Sequence, residues 1–309
     1  MTMRTVLAIV IAAASLGAVQ TSPKFNSSRA YEDLRQMVEI GPRPAGSPEL
    51  EKTREYIRRE LKAAGLAVHE QPFDAQTPAG TIHMVNLWTT VPGQVTDKGR
   101  IVIGGHYDTK VFHDQRFVGA SDAASSAAFV LELARTLKSR KNELPIELLF
   151  LDGEEAVNRD WDVKSTDHTY GSRHYVEQAV KDGTAKDIRA FILVDMIGAR
   201  NLAVHREQYS TGWLTDAIWA AARKTDHAAE FKDDAFPIED DHLEFLDAKI
   251  PSADIIDLQD YPQWHTAQDD LAHVGAGSLQ TVGDVVVAAL PAIEARLSGK
   301  DTKGTKDHR

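Results

Sequence analysis

The chain has no cysteine among its 309 residues. That excludes a disulfide framework and a lipid-anchored N-terminal cysteine, and a core of this size needs no covalent staples. Positive charge is scarce as well: 35 Lys and Arg stand against 46 Asp and Glu, a net charge of −11. Such a balance argues against nucleic acid as a partner and gives no reason to expect binding to an anionic membrane. There is no internal repeat and no sign of a second domain. The H-E-x-x-H helix of many zinc enzymes, the phosphate-binding P-loop and the G-x-S-x-G nucleophile elbow are all missing.

Long apolar runs are missing too. The most apolar stretch at the start, Val6 to Leu16, follows Met1-Thr2-Met3-Arg4 and precedes Gly17-Ala18. It is too short to span a bilayer comfortably and has the pattern of a secretory signal peptide over residues 1–20, so the mature protein is expected to be periplasmic or secreted, without stable membrane insertion. An uncleaved anchor or a packed helix is the alternative. Residues 298–309, mostly Lys, Asp, Thr and Gly, read as a disordered tail. That leaves 21–297 as one catalytic domain with 42% hydrophobic content behind it.

Within that domain, β-like and helical patterns alternate. Strands are expected around Ala67 to Phe73, Met84 to Thr90, Arg100 to Gly104, Ile146 to Asp152, Ala190 to Asp195 and Ser252 to Ile256. Helices are expected over Ala30 to Ile40, from Pro48 to a stop at Gly65, and over Ala123 to Ser139, Gly171 to Val180, Thr211 to Ala222 and Ser278 to Leu297. The alternation implies a single-domain α/β fold, a three-layer α/β/α sandwich with a mostly parallel central sheet.

The chemistry collects where such sheets place it, at the C-terminal ends of strands. Glu154 and Glu155 follow the buried run Ile146 to Leu151 and Asp152-Gly153. His106 follows Ile101-Val102-Ile103, Asp195 closes Phe191 to Val194, Asp122 precedes a long helix, and His265 lies beyond the apolar stretch Ala253 to Leu258. Singly, each has an ordinary explanation: Asp122, Asp240 or Asp241 as a helix cap, Trp264 as core volume, His265 as a packed imidazole. Independent caps would not gather acids and histidines at neighbouring strand ends. One histidine with two carboxylates and an open position is the ligand type of a catalytic zinc.

Taken in order, the motifs Gly-Gly-His-Tyr-Asp-Thr-Lys (104–110), Val-Gly-Ala-Ser-Asp (118–122), Asp-Gly-Glu-Glu-Ala (152–156), Asp-Met-Ile-Gly-Ala (195–199), Ile-Glu-Asp-Asp-His (238–242) and Trp-His-Thr (264–266) resemble the zinc aminopeptidase family that also contains the glutaminyl-peptide cyclotransferases. The resemblance runs from about Gly41 to Leu297. It implies either of two chemistries. In the aminopeptidases two zinc ions are held, one by the matches to His106 and Asp195, the other by those to Glu155 and His265, with the match to Asp122 bridging. In the cyclotransferases one zinc is held through Asp122, Glu155 and His265.

The resemblance favours cyclisation, because Trp264, Tyr261, Ile238 and Trp161 match places where those enzymes build a pocket for a glutamine side chain. Tyr261 stands where many of them have Phe. It further implies Glu154 as the proton shuttle, with Asp195 and Asp240 as hydrogen-bonded partners, and a peptide or protein N-terminus as substrate. The expected reaction is conversion of an N-terminal glutaminyl residue to pyroglutamate with loss of ammonia. A two-zinc aminopeptidase is the rival, and a non-catalytic interaction domain of the same fold is the remaining alternative.

Overall fold

The computed structural model describes residues 23–158, 161 and 165–300. The leader read over 1–20 and nearly all of the tail read over 298–309 lie outside the described residues; Ser298 itself ends a helix. In chain order the elements are α1 (Ser27–Ile40), α2 (Pro48–Ala63), β1 (His69–Thr77), β2 (Gly80–Val91), β3 (Arg100–His106), α3 (Ser126–Lys138), β4 (Ile146–Leu151) and α4 (Tyr170–Lys181). There follow β5 (Ile188–Asp195), β6 (Val204–Glu207), α5 (Gly212–Lys224), β7 (Phe231–Phe236), α6 (His242–Asp247), β8 (Ser252–Ile256) and α7 (Ala276–Ser298).

The expected helices are all present. Ser47 caps α2 by accepting from the Leu50 N–H at 3.1 Å, with Pro48 at the first helical position. Six strands form the main sheet in the order β1-β2-β4-β3-β5-β8, of which β4, β3, β5 and β8 run parallel and the β1–β2 hairpin adds antiparallel strands at one edge. The hairpin is longer than its sequence pattern predicts. Both strands continue to a turn at Pro78 and Ala79, because pairing holds out to Thr77 and Gly80 although little is buried there.

Alternate residues of the parallel strands face opposite layers, as the two-residue period of a strand requires. Ile101, Ile103, Leu148, Phe150, Ile192 and Val194 pack with α1, α3, α5 and α7 in the larger core. Val102, Leu149, Leu151, Phe191 and Leu193 pack with Tyr175 and Val176 of α4 and Phe245 of α6 in the smaller one. Both faces are therefore covered, which is why these strands read as largely apolar runs, interrupted by Glu147 in β4 and Asp254 in β8. A second, two-stranded parallel sheet, β6–β7, lies beside β8 and was not evident from the sequence.

Just past β8, Asp257 is fully buried, with the Ala203 N–H donating to Oδ2 at 3.1 Å and Oδ1 without a partner. Burial pushes its pKa up from 3.8 to about 7, the Ala203 bond opposes, and Asp260 adds to the rise. The folded chain thus holds this proton more tightly than the unfolded one. The stability so contributed is complete below the ordinary carboxylate range and disappears as pH rises through about 7. Asp257→Asn should remove that dependence. In urea titrations from pH 4 to 8, the wild type should lose on the order of 2–4 kcal/mol relative to the variant. Parallel profiles would show that Asp257 ionises in the folded chain as easily as in the unfolded one.

Candidate active site

Three parallel strands deliver acids or a histidine to one edge of the sheet. His106 ends β3, Asp195 ends β5, and the paired glutamates lie beyond β4. Two buried aspartates set the intervening loops. Asp108 accepts from the Glu154 N–H at 3.2 Å on one oxygen and from the Glu155 N–H at 3.3 Å on the other. Asp269 does the same for the loop that carries Asp122, accepting from Ser121 N–H at 2.7 Å and Asp122 N–H at 3.0 Å. Just before that loop, Gly119 has φ +51°, and a Cβ there would lie 1.8 Å from the Asp122 carbonyl oxygen, so only glycine fits.

Behind these loops lies the wholly buried Arg43. Its guanidinium donates to the carbonyls of Tyr107 at 3.1 Å, Val118 at 2.6 Å and Gly119 at 3.0 Å. Burial lowers its pKa to about 10, against the pull of Asp269, Asp108 and Asp122. Lys110, also buried, donates to the Ala156 carbonyl at 2.9 Å and holds the segment after Glu155.

Two triads of donor atoms result, His106–Asp122–Asp195 and Asp122–Glu155–His265, each with its atoms within 4.8 Å of one another. The Oδ1 atom of Asp122 lies 3.2 Å from His106 Nε2, and its Oδ2 lies 3.4 Å from His265 Nε2. Glu155 Oε1 is 3.4 Å from the same His265 nitrogen, and His106 Nε2 is 3.1 Å from Asp195 Oδ1. Asp122 is therefore common to both groups and serves as no cap: its backbone is non-helical and the helix that follows receives no side-chain hydrogen bond from it.

The electrostatics fit a bound cation. Burial favours neutral Asp122, yet His106 and His265 outweigh it and hold the carboxyl below its ordinary range. Burial likewise opposes a charged His265, but Glu155 and Asp122 raise it to about 10. Glu155 is raised by burial and by Asp122, and its Oε1 has no hydrogen-bond partner. Buried carboxylates with a free oxygen and a facing imidazole are a hard and borderline donor set suited to zinc.

Glu154 is different. Burial raises its pKa well above the carboxylate range, His106 opposes this, and Glu155, Asp240 and Asp241 add to it. Asp240 is also raised well above its ordinary value, by burial and then by Asp195 and Asp241. Among the described residues no hydrogen bond joins Glu154 to Asp195 or Asp240. The coupling expected through a shared hydrogen bond runs instead through charge. Asp241 caps nothing: it accepts from Ser172 Oγ.

These acids open into a cavity of about 350 Å³ whose walls include Trp161, Ile238 and Trp264. Trp264 stacks on His265 at 4.2 Å between centroids, and Trp161 stacks on His168 at 4.1 Å. Phe112 and Phe117 meet the His265 ring edge-on, each at 5.8 Å, so three aromatics fix that imidazole. Tyr261 corrects the expectation that it lines the pocket. It is buried behind Ile238, Met196 and Ile256, and its hydroxyl donates to Asp269 at 2.6 Å, so it braces the Asp122 loop. Tyr209, absent from the sequence reading, does line the cavity. Asp108 had a signal, since it lies two residues past His106 inside a motif already singled out. Tyr209, Asp269 and Arg43 had none.

Residues 86–290 match a family described as Peptidase family M28. Among solved structures, the chain is similar to an Acidobacteriales bacterium glutaminyl cyclase, at 37% identity and a TM-score of 0.84 over 92% of this chain and all of that one. It is also similar to a leucine aminopeptidase precursor from Bacteroides thetaiotaomicron, at 28% identity and a TM-score of 0.81 over 87% of this chain and 98% of the other. A glutaminyl-peptide cyclotransferase of Boiga irregularis is 28% identical over 87% of this chain and 82% of the relative.

Proposed function

The chain belongs to peptidase family M28, and on that footing we propose that it is a glutaminyl-peptide cyclotransferase, converting the N-terminal glutamine of peptides and proteins to pyroglutamate with release of ammonia. The observation that carries this reading is the cavity: its lining combines the proton-holding acids Glu154 and Asp240 with an apolar wall of Trp161, Ile238 and Trp264. That combination suits a short uncharged carboxamide side chain beside an amine. The apolar start, Val6 to Leu16, supports export as part of the reading.

Asp122, Glu155 and His265 would hold one zinc ion, which supplies a Lewis acid for the carboxamide oxygen. The remaining work falls to the chain itself. Trp264, Trp161 and Ile238 exclude water and orient the glutamine side chain so that its carboxamide carbon, Cδ, faces its own α-amine, making the step intramolecular. A free α-amine titrates near ~7.7–8.0, so the neutral nucleophile is accessible at working pH. As the amine nitrogen bonds to the carboxamide carbon, Cδ, a Glu154 carboxylate oxygen takes its proton. The same oxygen returns the proton to the departing nitrogen as the carbon–NH₂ bond breaks and ammonia leaves. Burial and the neighbouring Glu155 favour the protonated form of Glu154 midway through this exchange, with Asp240 and Asp195 as its acidic partners.

A second reading has one observation behind it. His106, Asp122 and Asp195 converge as tightly as Asp122, Glu155 and His265, as a two-zinc aminopeptidase would require. Mass spectrometry of a Gln-initiated and a Leu-initiated peptide, each incubated with the zinc-loaded protein, separates the two. Loss of one ammonia from the Gln peptide alone, with one zinc per chain by metal analysis, is the expected result. Removal of a whole residue from the Leu peptide, with two zinc ions bound, would replace the cyclotransferase with the peptidase. Turnover in His106→Ala should be reduced but measurable in the first case and abolished in the second.

A further inference from the structure

Only three large hydrophobic side chains are exposed among the described residues, Val180, Tyr209 and Trp264, and the last two lie on the cavity just described. Tyr209 is 48% exposed and Trp264 42%. Aromatic surface left in water at the mouth of a pocket gains free energy when a partner covers it. Trp264 is already engaged with His265 through its ring. Among the described residues, Tyr209 has no ring partner and its hydroxyl makes no hydrogen bond.

Its backbone, by contrast, is fixed at every step. The Gln208 N–H donates to the Phe236 carbonyl at 2.9 Å and the Thr211 N–H to the Ser252 carbonyl at 2.7 Å. Between them, the buried carboxylate of Glu207 accepts from Tyr209 N–H at 2.8 Å, Ser210 N–H at 2.6 Å and Ser210 Oγ at 2.8 Å. Glu207 also accepts from the Ile238 N–H at 3.3 Å and pairs with His242 Nε2 at 3.0 Å. One buried acid thus ties the turn that presents Tyr209 to the segment that presents Ile238. A half-exposed aromatic on a rigid turn is a preorganised contact, with little ordering left to lose on binding.

We propose that Tyr209 receives the side chain of the residue that follows the N-terminal glutamine, that Glu207 is the residue positioning it, and that the enzyme therefore prefers an apolar or aromatic second residue. The inference rests on the cyclotransferase reading. With the glutamine side chain against Ile238 and Trp264, the peptide leaves the cavity by its open rim, where Tyr209 stands. Glu239 also lines the cavity, and the chain carries a net charge of −11, so an acidic second residue is disfavoured.

The test is kcat and KM for the peptides Gln-Phe-Ala, Gln-Gly-Ala and Gln-Glu-Ala. The wild type should use Gln-Phe-Ala about tenfold more efficiently than Gln-Gly-Ala, with Gln-Glu-Ala last. In Tyr209→Ala the Phe-to-Gly ratio should fall to about twofold or less, mainly through KM, while Tyr209→Phe keeps it. Glu207→Gln should lower the ratio in the same way with Tyr209 present. If Tyr209→Ala reduces both peptides equally, or leaves the ratio where it was, the second-residue contact is wrong although cyclisation stands. If the wild type cyclises none of the three, the cyclotransferase reading itself fails and the inference falls with it.

Discussion

Glu154→Gln should lower turnover of a Gln-initiated peptide by about 10²–10⁴-fold while leaving the fold and zinc content as they are in the wild type. The substitution keeps the shape of the side chain and removes only its capacity to accept and return a proton. Glu154 has the environment for that work. It is buried, its pKa is raised well above the carboxylate range by burial and by Glu155, Asp240 and Asp241, and His106 alone among its strongest neighbours favours the charged form. A group so balanced gives up its charge readily on receiving a proton. Turnover measured alongside far-UV circular dichroism and metal analysis checks this. A variant that still cyclises within a few-fold of the wild type would move the shuttle to another group, with Asp240 the next in position.

The second large effect is on stability. Arg43→Met should destabilise the protein by about 3–5 kcal/mol in urea unfolding, because three buried carbonyls lose their donor and three buried acids lose a nearby cation. Those carbonyls belong to Tyr107, Val118 and Gly119, and the acids that act on Arg43 are Asp269, Asp108 and Asp122. Arg43→Lys should recover only part of the loss, since an ammonium cannot match the planar fork that spans three acceptors. Full recovery by lysine would mean that the charge matters and the fork geometry does not.

Much of this site was legible in the sequence for a physical reason. Strands buried on both faces are apolar at nearly every position, so Ile146 to Leu151, broken only by Glu147, and Phe191 to Val194 announce themselves, and the polar residue that ends each run marks the sheet edge. The same reasoning is blind to β6 and β7. Phe231–Phe236 is mostly exposed and reads Phe-Lys-Asp-Asp-Ala-Phe, with no apolar stripe to betray a strand. Missing that small sheet meant missing Tyr209. Arg43 was hidden differently: its partners are main-chain carbonyls more than sixty positions away, and a carbonyl has no sequence signature. Tyr261 was placed in the correct region with the wrong duty, because nothing in the chain shows that a tyrosine hydroxyl will find Asp269.

The two donor triads draw on the ends of β3 and β5, the turn before α3, the loop beyond β4 and the stretch that follows β8. Neither triad lies on one element or one short segment, so a site that would hold an ion is complete only once the sheet has assembled. The dependence also runs in reverse. An ion that binds only the completed domain shifts the equilibrium toward it by mass action, whichever part of the chain is weakest. If zinc is held there as proposed, its affinity gauges the whole molecule's integrity: lesions as distant from the site as the hairpin edge or α7 should register as weaker metal retention.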